Sequence, residues 1–505
     1  MLGTGLLAGI MPGVAGAQED ITVSGQLGAP TANGPVGGQA GGGLIQAQTA
    51  VRSVSTVGSD YIRRQAPTEN AFQLLSPLPG AVVAQSDPLG ISGQSSLTIR
   101  GLGTDEIGYV LDGMPLNDIA YYTGYPGQFL DTENIEDISL SQGTGDLDTP
   151  TINAAGGLVS LDMRAPAEKA GGYVEGAYGS FHTVRGFARV DTGELGHSGV
   201  RGFVSYSRTA ADNWRGSGRD KRQHVDVRLL KEWGGGNSVS LIGTWNDAIT
   251  SGYPYVTQEN WKQYGRKGPD NYDGTYSAGD TNYWQFFQQP YRLFYAVAPV
   301  HLRLGGGRGA FDVAPYAQYG YGNGPGGTVL PTQGVFQGTE PVDGTLSLPG
   351  AVDGQAVVRA NYQQASYRAG LVPRLSWRFG RHEVEAGAWY DYADDREPGT
   401  FSPVGPDGGT ADIFVNRIGE TVLLPDGRQL RFQDAHSIAQ VNALFVGDRW
   451  RVLGDDRLVV QAGFREVMVS RTGWNGLPGA TYRTGVNSAE PLPRLGMRWQ
   501  LDRKN

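Results

Sequence analysis

Beyond Gly171 apolar and polar side chains alternate with a period of two. Val225, Val227 and Leu229 stand against His224, Asp226 and Arg228, and Val239, Leu241 and Trp245 against Ser240 and Thr244. The same rhythm sets Val384, Ala386 and Ala388 against Glu383 and Glu385, and Leu495, Met497, Trp499 and Leu501 against Arg494, Arg498 and Gln500. Successive side chains of a strand point to opposite faces, so each segment predicts a strand with one greasy and one polar face. A soluble sandwich produces this alternation as well. The connections separate the two. Short ones fall near 191–199, 234–237, 305–309, 380–381 and 454–456, and long ones near 207–222, 248–288, 321–359, 393–435 and 471–490. Short turns alternating with long loops are the organisation of an outer-membrane barrel, and a sandwich or propeller has no reason to alternate this way. No apolar run reaches the ~18 residues of a membrane-spanning helix, so any crossing is by strands.

The first third of the chain has another texture. Residues 6–14 are apolar and end at Ala15-Gly16-Ala17, so 1–17 reads as a secretory signal lacking its positive start. Glu19, Asp20, Ile21, Thr22, Val23 and Ser24 form an isolated β-prone hexamer, followed by a Gly-rich tether that completes segment 18–45. Residues 46–166 read as a small α+β domain, and 167–505 as the barrel portion. Within the small domain, 51–57 predicts a strand, and Thr68 predicts the cap of a short helix ending before Pro77. In 97–118, two apolar runs, 97–99 and 107–111, predict short strands joined at Gly101-Leu102-Gly103 and ended by Asp112-Gly113.

In that stretch Arg100-Gly101, followed by Val110-Leu111-Asp112-Gly113-Met114-Pro115-Leu116, resembles the plug domain of TonB-dependent outer-membrane receptors. Leu74-Leu75 to Pro79-Gly80-Ala81-Val82, 135–143 and 153–161 resemble further plug segments. The resemblance implies a plug inside a transmembrane β-barrel, with 19–24 as the TonB box. That box would pair, strand to strand, with the periplasmic energy-transducing protein TonB. Family members close with twenty-two strands, whereas about twelve are countable here, so the expected fold is mainly β with a C-terminally truncated barrel. The box follows the cleavage site directly, which leaves no room for a signalling domain ahead of it. Asp137, Ser139 and Gln142 stand where relatives carry the Arg, Glu and Arg that lock plug to barrel, so those pairs do not carry over.

The implied activity is import of a scarce nutrient, a ferric siderophore first, with cobalamin, haem or a carbohydrate as other cargoes. Its setting would be the outer membrane of a Gram-negative bacterium, in contact with lipid. A passive porin or adhesin is the rival. Tyr121, Tyr122 and Tyr125 would face cargo from the plug apex, and Tyr253, Tyr255 and Trp261 from the long loop at 248–288. Rigid aromatic faces with polar tips suit a bulky chelate. Tyr283 to Phe287, beside a strand, read equally as a membrane-surface girdle. Arg100 either touches ligand or holds the plug's own turn.

Composition narrows the field further. Among 505 residues 78 are Gly, 10% are aromatic and only 39% are apolar, which suits strands that each need one greasy face. A net charge of −9 argues against a nucleic-acid partner. Cysteine is absent, which removes disulfides, thiol chemistry and Cys-based metal sites. The six His have no partner at ligand spacing and read as solvated, and Asp394-Asp395 reads as loop acids. No nucleophile elbow, phosphate loop or zinc-protease motif appears, so no enzyme activity, resident metal or cofactor is expected. A chelator brings its own metal ligands.

Overall fold

The computed structural model describes residues 45–47, 51–91, 95–143, 145–454 and 456–500. The readings made on 1–17, on Glu19 to Ser24 and on the tether fall outside the described residues.

The N-terminal unit contains β1 (Ile45–Ala47), β2 (Val54–Gly58), α1 (Ser59–Ile62), α2 (Ala71–Leu75), β3 (Ala81–Gln85), β4 (Ser95–Ile99), β5 (Ile107–Leu111), β6 (Met114–Pro115), β7 (Ile135–Ser141) and β8 (Gly157–Met163). Six strands form one sheet in the order β1-β2-β7-β8-β5-β6. Its core gathers Phe72, Leu74, Leu75, Ile138 and Val159, with Phe72 stacked on Tyr109 at 5.4 Å. Burying two such rings contributes on the order of 0.5–1.5 kcal/mol beyond their area. The Asp112-Gly113 turn holds φ of 46° and 88°, the left-handed pair a two-residue hairpin turn needs, and joins β5 to β6.

Two expectations here are corrected. The helix is capped by Asn70, not Thr68. Asn70 accepts from the Phe72 and Gln73 amides while the Gln73 side chain returns to the Asn70 amide, a reciprocal box that outcompetes the earlier start. The runs 97–99 and 107–111 are strands as expected, but a 3-10 turn at Thr104–Glu106 follows the Gly101-Leu102-Gly103 corner, so no single tight turn joins them. β4 pairs with β3 in a separate hairpin, and β5 runs parallel to β8. Local turn chemistry marks a chain reversal but not the strand's partner.

The second sheet contains β9 (Ala170–Gly179), β10 (Thr183–Thr192), β11 (Val200–Asp212), β12 (Arg219–Trp233), β13 (Asn237–Ser251), β14 (Gln288–Val297), β15 (Val300–Leu304), β16 (Gly309–Asn323), β17 (Gly326–Pro331), β20 (Gln355–Phe379), β21 (His382–Pro403), β22 (Arg431–Arg451), β23 (Leu458–Asn475) and β24 (Tyr482–Trp499); β18 (Phe336–Gln337) and β19 (Glu340–Pro341) form a small loop hairpin. The path β9 to β24 is an antiparallel meander with twelve strand positions, because β14 and β15 share one and β17 extends along β20. Among the described residues β9 and β24 do not pair with each other.

All five short turns stand where the alternation put them. The long loops are shorter than expected at 213–218 and 476–481, since the flanking strands run on. β21 likewise continues to Pro403, so Asp394 and Asp395 are strand residues and not loop acids. Burial is inverted relative to a soluble protein. Ser205, Ser207, Asp226, Thr244 and Asn246 are buried, whereas Val204, Leu229, Leu241 and Phe294 are exposed. A sheet whose polar face is covered and whose greasy face is bare suits lipid outside and the N-terminal unit inside.

Candidate functional site

The N-terminal unit is gripped by barrel arginines. On the β10–β12 wall Asp131 takes Arg222 at 2.7 Å and Arg185 at 3.5 Å, and Glu133 takes Arg185 at 2.6 Å. Asn134 donates to Ser205 at 2.8 Å and to Asp226 at 2.7 Å. His224 was expected to be solvated and is fully buried in this network. Its Nε2 faces Asp226 at 2.7 Å and its Nδ1 faces Asn246 Oδ1 at 3.2 Å, an oxygen that also accepts from Arg222. Asp131, His224 and Asp226 therefore lie close enough to share a cation, and each is also engaged by a neighbour, Asp131 by Arg222, His224 by Asn246 and Asp226 by Asn134. Two acids of the plug, Asp131 and Glu133, and Asp226 of the wall stand among Arg185, Arg222 and His224. Charges buried on this scale persist only when paired. The wall thus supplies the arginines and the plug Asp131 and Glu133, which no motif at 137–142 foretold.

At the other end of the same unit Asp112 lies 3.9 Å from Arg228 and accepts from the Met163 amide at 3.0 Å. Burial pushes its carboxyl up to about 7, with Arg228 opposing and Asp162 and Asp137 adding to the rise. An acid whose folded value exceeds its unfolded one of about 3.9 favours the fold while protonated, so this stability is complete at low pH and is lost as pH rises through the folded value. Asp112→Asn, which keeps the acceptor, is expected to raise the plug's melting temperature more at about pH 8 than at about pH 5. Thermal melts of the purified protein at both pH values check this; equal shifts would refute it.

The apex at 117–125 is built from the chain upward. Asp118 Oδ1 caps its own turn through the Ala120 and Tyr121 amides at 2.9 and 2.7 Å, and Asn117 ties the Tyr122 carbonyl back at 2.7 Å. Barrel residues complete the floor. Gln364 bridges Asp118 at 3.3 Å and Asp395 at 3.0 Å, Arg368 donates to the Asn117 carbonyl at 2.9 Å, and the Arg471 guanidinium lies 5.3 Å over the Tyr122 ring. Tyr121 is 61% exposed. Burial, then the charge and hydrogen bond of Glu397, push its hydroxyl up to about 12; burial raises the Tyr125 hydroxyl and the Asp118 carboxyl likewise. Tyr121, Tyr122 and Tyr125 are thus brought together on an acidic, aromatic floor. Gln364, Asp395, Glu397 and Arg471 belong to it although nothing in their local sequence marked them. The register of β20 against β21, Ser366 opposite Asp395, aligns Gln364, Asp395 and Glu397, and Arg471 comes from β23.

The loop aromatics divide. Tyr253 is buried and packs at 6.3 Å from Trp214, which also meets Trp261 at 6.0 Å. Arg215 lies over Tyr253 at 5.6 Å, and the Trp214 indole donates to the Ser86 carbonyl of the plug. Trp214 is the organising residue here, and the sequence reading passed over it. Burial raises the Tyr253 hydroxyl. Tyr255 is fully exposed and outside this cluster. Tyr283 and Phe286 are buried with Val404 of the loop after β21, and half-buried Tyr276, Trp284 and Phe287 pack against them, so they belong to a core between loops and form no girdle. Arg100 sits apart from the apex tyrosines: its guanidinium donates to Gln142 at 2.8 Å and its amide to the Gly80 carbonyl at 3.3 Å. Its φ of 52° is followed by 86° at Gly101.

A family model described as TonB-dependent Receptor Plug Domain matches residues 46–158. The fold is similar to that of the ferric citrate transporter FecA in its unliganded form, at 14% identity and a TM-score of 0.66, covering 90% of this chain and 61% of that one. It is also similar to the ferric yersiniabactin uptake receptor FyuA from Yersinia pestis (13% identity, TM-score 0.58, 88% and 61% covered) and to the pyoverdine outer membrane receptor FpvA from Pseudomonas aeruginosa PAO1 (14%, 0.60, 90% and 61%). No curated protein sequence matches the chain. The chain spans about 60% of the length of these solved structures. Residues 46–158 thus match the plug-domain family, and the fold places that domain against the polar face of an antiparallel sheet as in these similar structures.

Proposed function

We propose that the protein imports a ferric siderophore across the outer membrane of a Gram-negative bacterium, powered through TonB. The observation that carries this reading is the apex: exposed Tyr121 beside half-buried Tyr122 and Tyr125, over Asp118, Asp395 and Glu397 at the long-loop end of a plug-filled lumen. Cargo would bind between apex and loops, Glu19 to Ser24 would be offered to TonB, and pulling would displace part of the plug. The similar solved structures are named for ferric citrate, ferric yersiniabactin and pyoverdine, which favours an iron chelate over cobalamin, haem or a carbohydrate. A transporter of this kind needs no catalytic cluster.

Growth of a deletion strain on single iron sources, followed by binding titration, tests the cargo. Tyr121→Ala is expected to weaken binding of that cargo by about 1–2 kcal/mol, roughly 5- to 30-fold, as the loss of one exposed aromatic contact. Unchanged binding would remove the apex from the site.

A further inference from the structure

Three cavities lie between the plug and the inner face of the sheet. A pocket of about 20 Å³ under the apex touches Tyr122, Arg368 and Trp389. A cavity of about 310 Å³ lies between the β5–β6 hairpin and the wall, against Arg228, His301 and Arg374. A third, of about 410 Å³, lies beside the short turn at 380–381, against Glu383, Glu385 and Arg449. One plug segment borders all of them. Pro150 lines the first, Asp148, Thr149 and Pro150 the second, and Asp146 the third.

This segment is held differently from the opposite wall. Leu147 is buried and enters a socket floored by two barrel glycines: a Cβ on Gly447 or Gly463 would lie 2.5 or 2.4 Å from its Cδ1. Asp148 pairs with Arg374 at 3.1 Å and Asp146 lies 3.8 Å from Arg494, and two wall arginines donate to backbone carbonyls, Arg465 to Thr149 at 2.6 Å and Arg494 to Gly145. Buried Arg465 leaves Nε and Nη2 without a hydrogen-bond partner. The β10–β12 wall, by contrast, holds Asp131, Glu133 and Asn134 through charge-balanced side-chain pairs. A knob in a smooth socket slides out more readily than a paired network comes apart.

We propose that cargo passes the plug beside residues 146–150, when this segment leaves the Gly447 and Gly463 socket and the three cavities it borders merge, while 131–134 stay on β10–β12. The proposal rests on the importer reading.

The chain has no cysteine, so introduced pairs are its only thiols. Leu147→Cys with Gly463→Cys ties the moving segment, since a Cβ at 463 lies 3.2 Å from Leu147 Cγ. Asn134→Cys with Ser205→Cys ties the opposite side, where the native side chains meet at 2.8 Å. Each pair is bridged by a short reducible thiol cross-linker in the whole protein, and potassium chloride current is read across a planar lipid bilayer as urea is raised until the unbridged protein conducts. The 147–463 bridge is expected to abolish the current, with recovery on reduction, and the 134–205 bridge to leave it intact. A 147–463 bridge that still conducts, or a 134–205 bridge that closes the protein, overturns the proposal. Because the current is carried by potassium chloride, its outcome is separate from cargo binding, on which the importer reading stands.

Discussion

Deleting Glu19 to Ser24 is expected to abolish uptake while leaving cargo affinity unchanged. The apex and its wall are assembled from residues 117–125, 364–397 and 471, so cargo contact does not pass through the hexamer. What the hexamer supplies is an extended strand whose backbone groups pair with a partner's sheet, each hydrogen bond contributing about 1 kcal/mol net. Ile21→Pro, which removes one amide donor and constrains the strand, should lower uptake in the same direction. Uptake of a radiolabelled iron chelate in energised cells, beside equilibrium binding to whole cells, checks both. Uptake that survives the deletion would leave a passive porin as the better reading.

Asp131→Ala is expected to be the most disruptive single change in the plug's seat. It removes the acid that holds Arg222 at 2.7 Å and Arg185 at 3.5 Å, and both guanidiniums are largely shielded from solvent. Breaking one partner out of a buried pair costs about 3–5 kcal/mol, because the charge left behind has no water to replace it. The loss should fall on the plug. Hydrogen exchange would show faster exchange in β7 and β8 with β20 to β23 unchanged, and Asp131→Asn, which retains an acceptor, should lie between. A change under about 1 kcal/mol would mean that solvent reaches the network.

The two effects differ in how far they could be read in advance. The period-two alternation in 225–229 or 384–388 needs only neighbouring residues, so strands, short turns and the number of strand positions were legible from the chain. The resemblance to the plug family, and not the alternation, pointed to the Pro79-Gly80 turn and to the segments 135–143 and 153–161, where β7 and β8 stand. The cap at Asn70 was two residues off because Gln73 closes a box that competes with Thr68. The buried His224 could not be foreseen. A histidine alternating with acids on a strand looks solvated until another domain covers that face. The same holds for Asp395, which seemed a loop acid until the β20–β21 register carried it under the apex.

What the amino-acid order determined alone is which side chains share a face, because strand geometry repeats every two residues and demands no distant partner. Which acid meets which arginine, and which tyrosine meets cargo, was decided only when the plug entered the lumen. Asp131 and Arg222, or Asp118 and Gln364, are far apart along the chain and carry no mutual signal. Their pairing is a property of two surfaces brought into register by the whole fold.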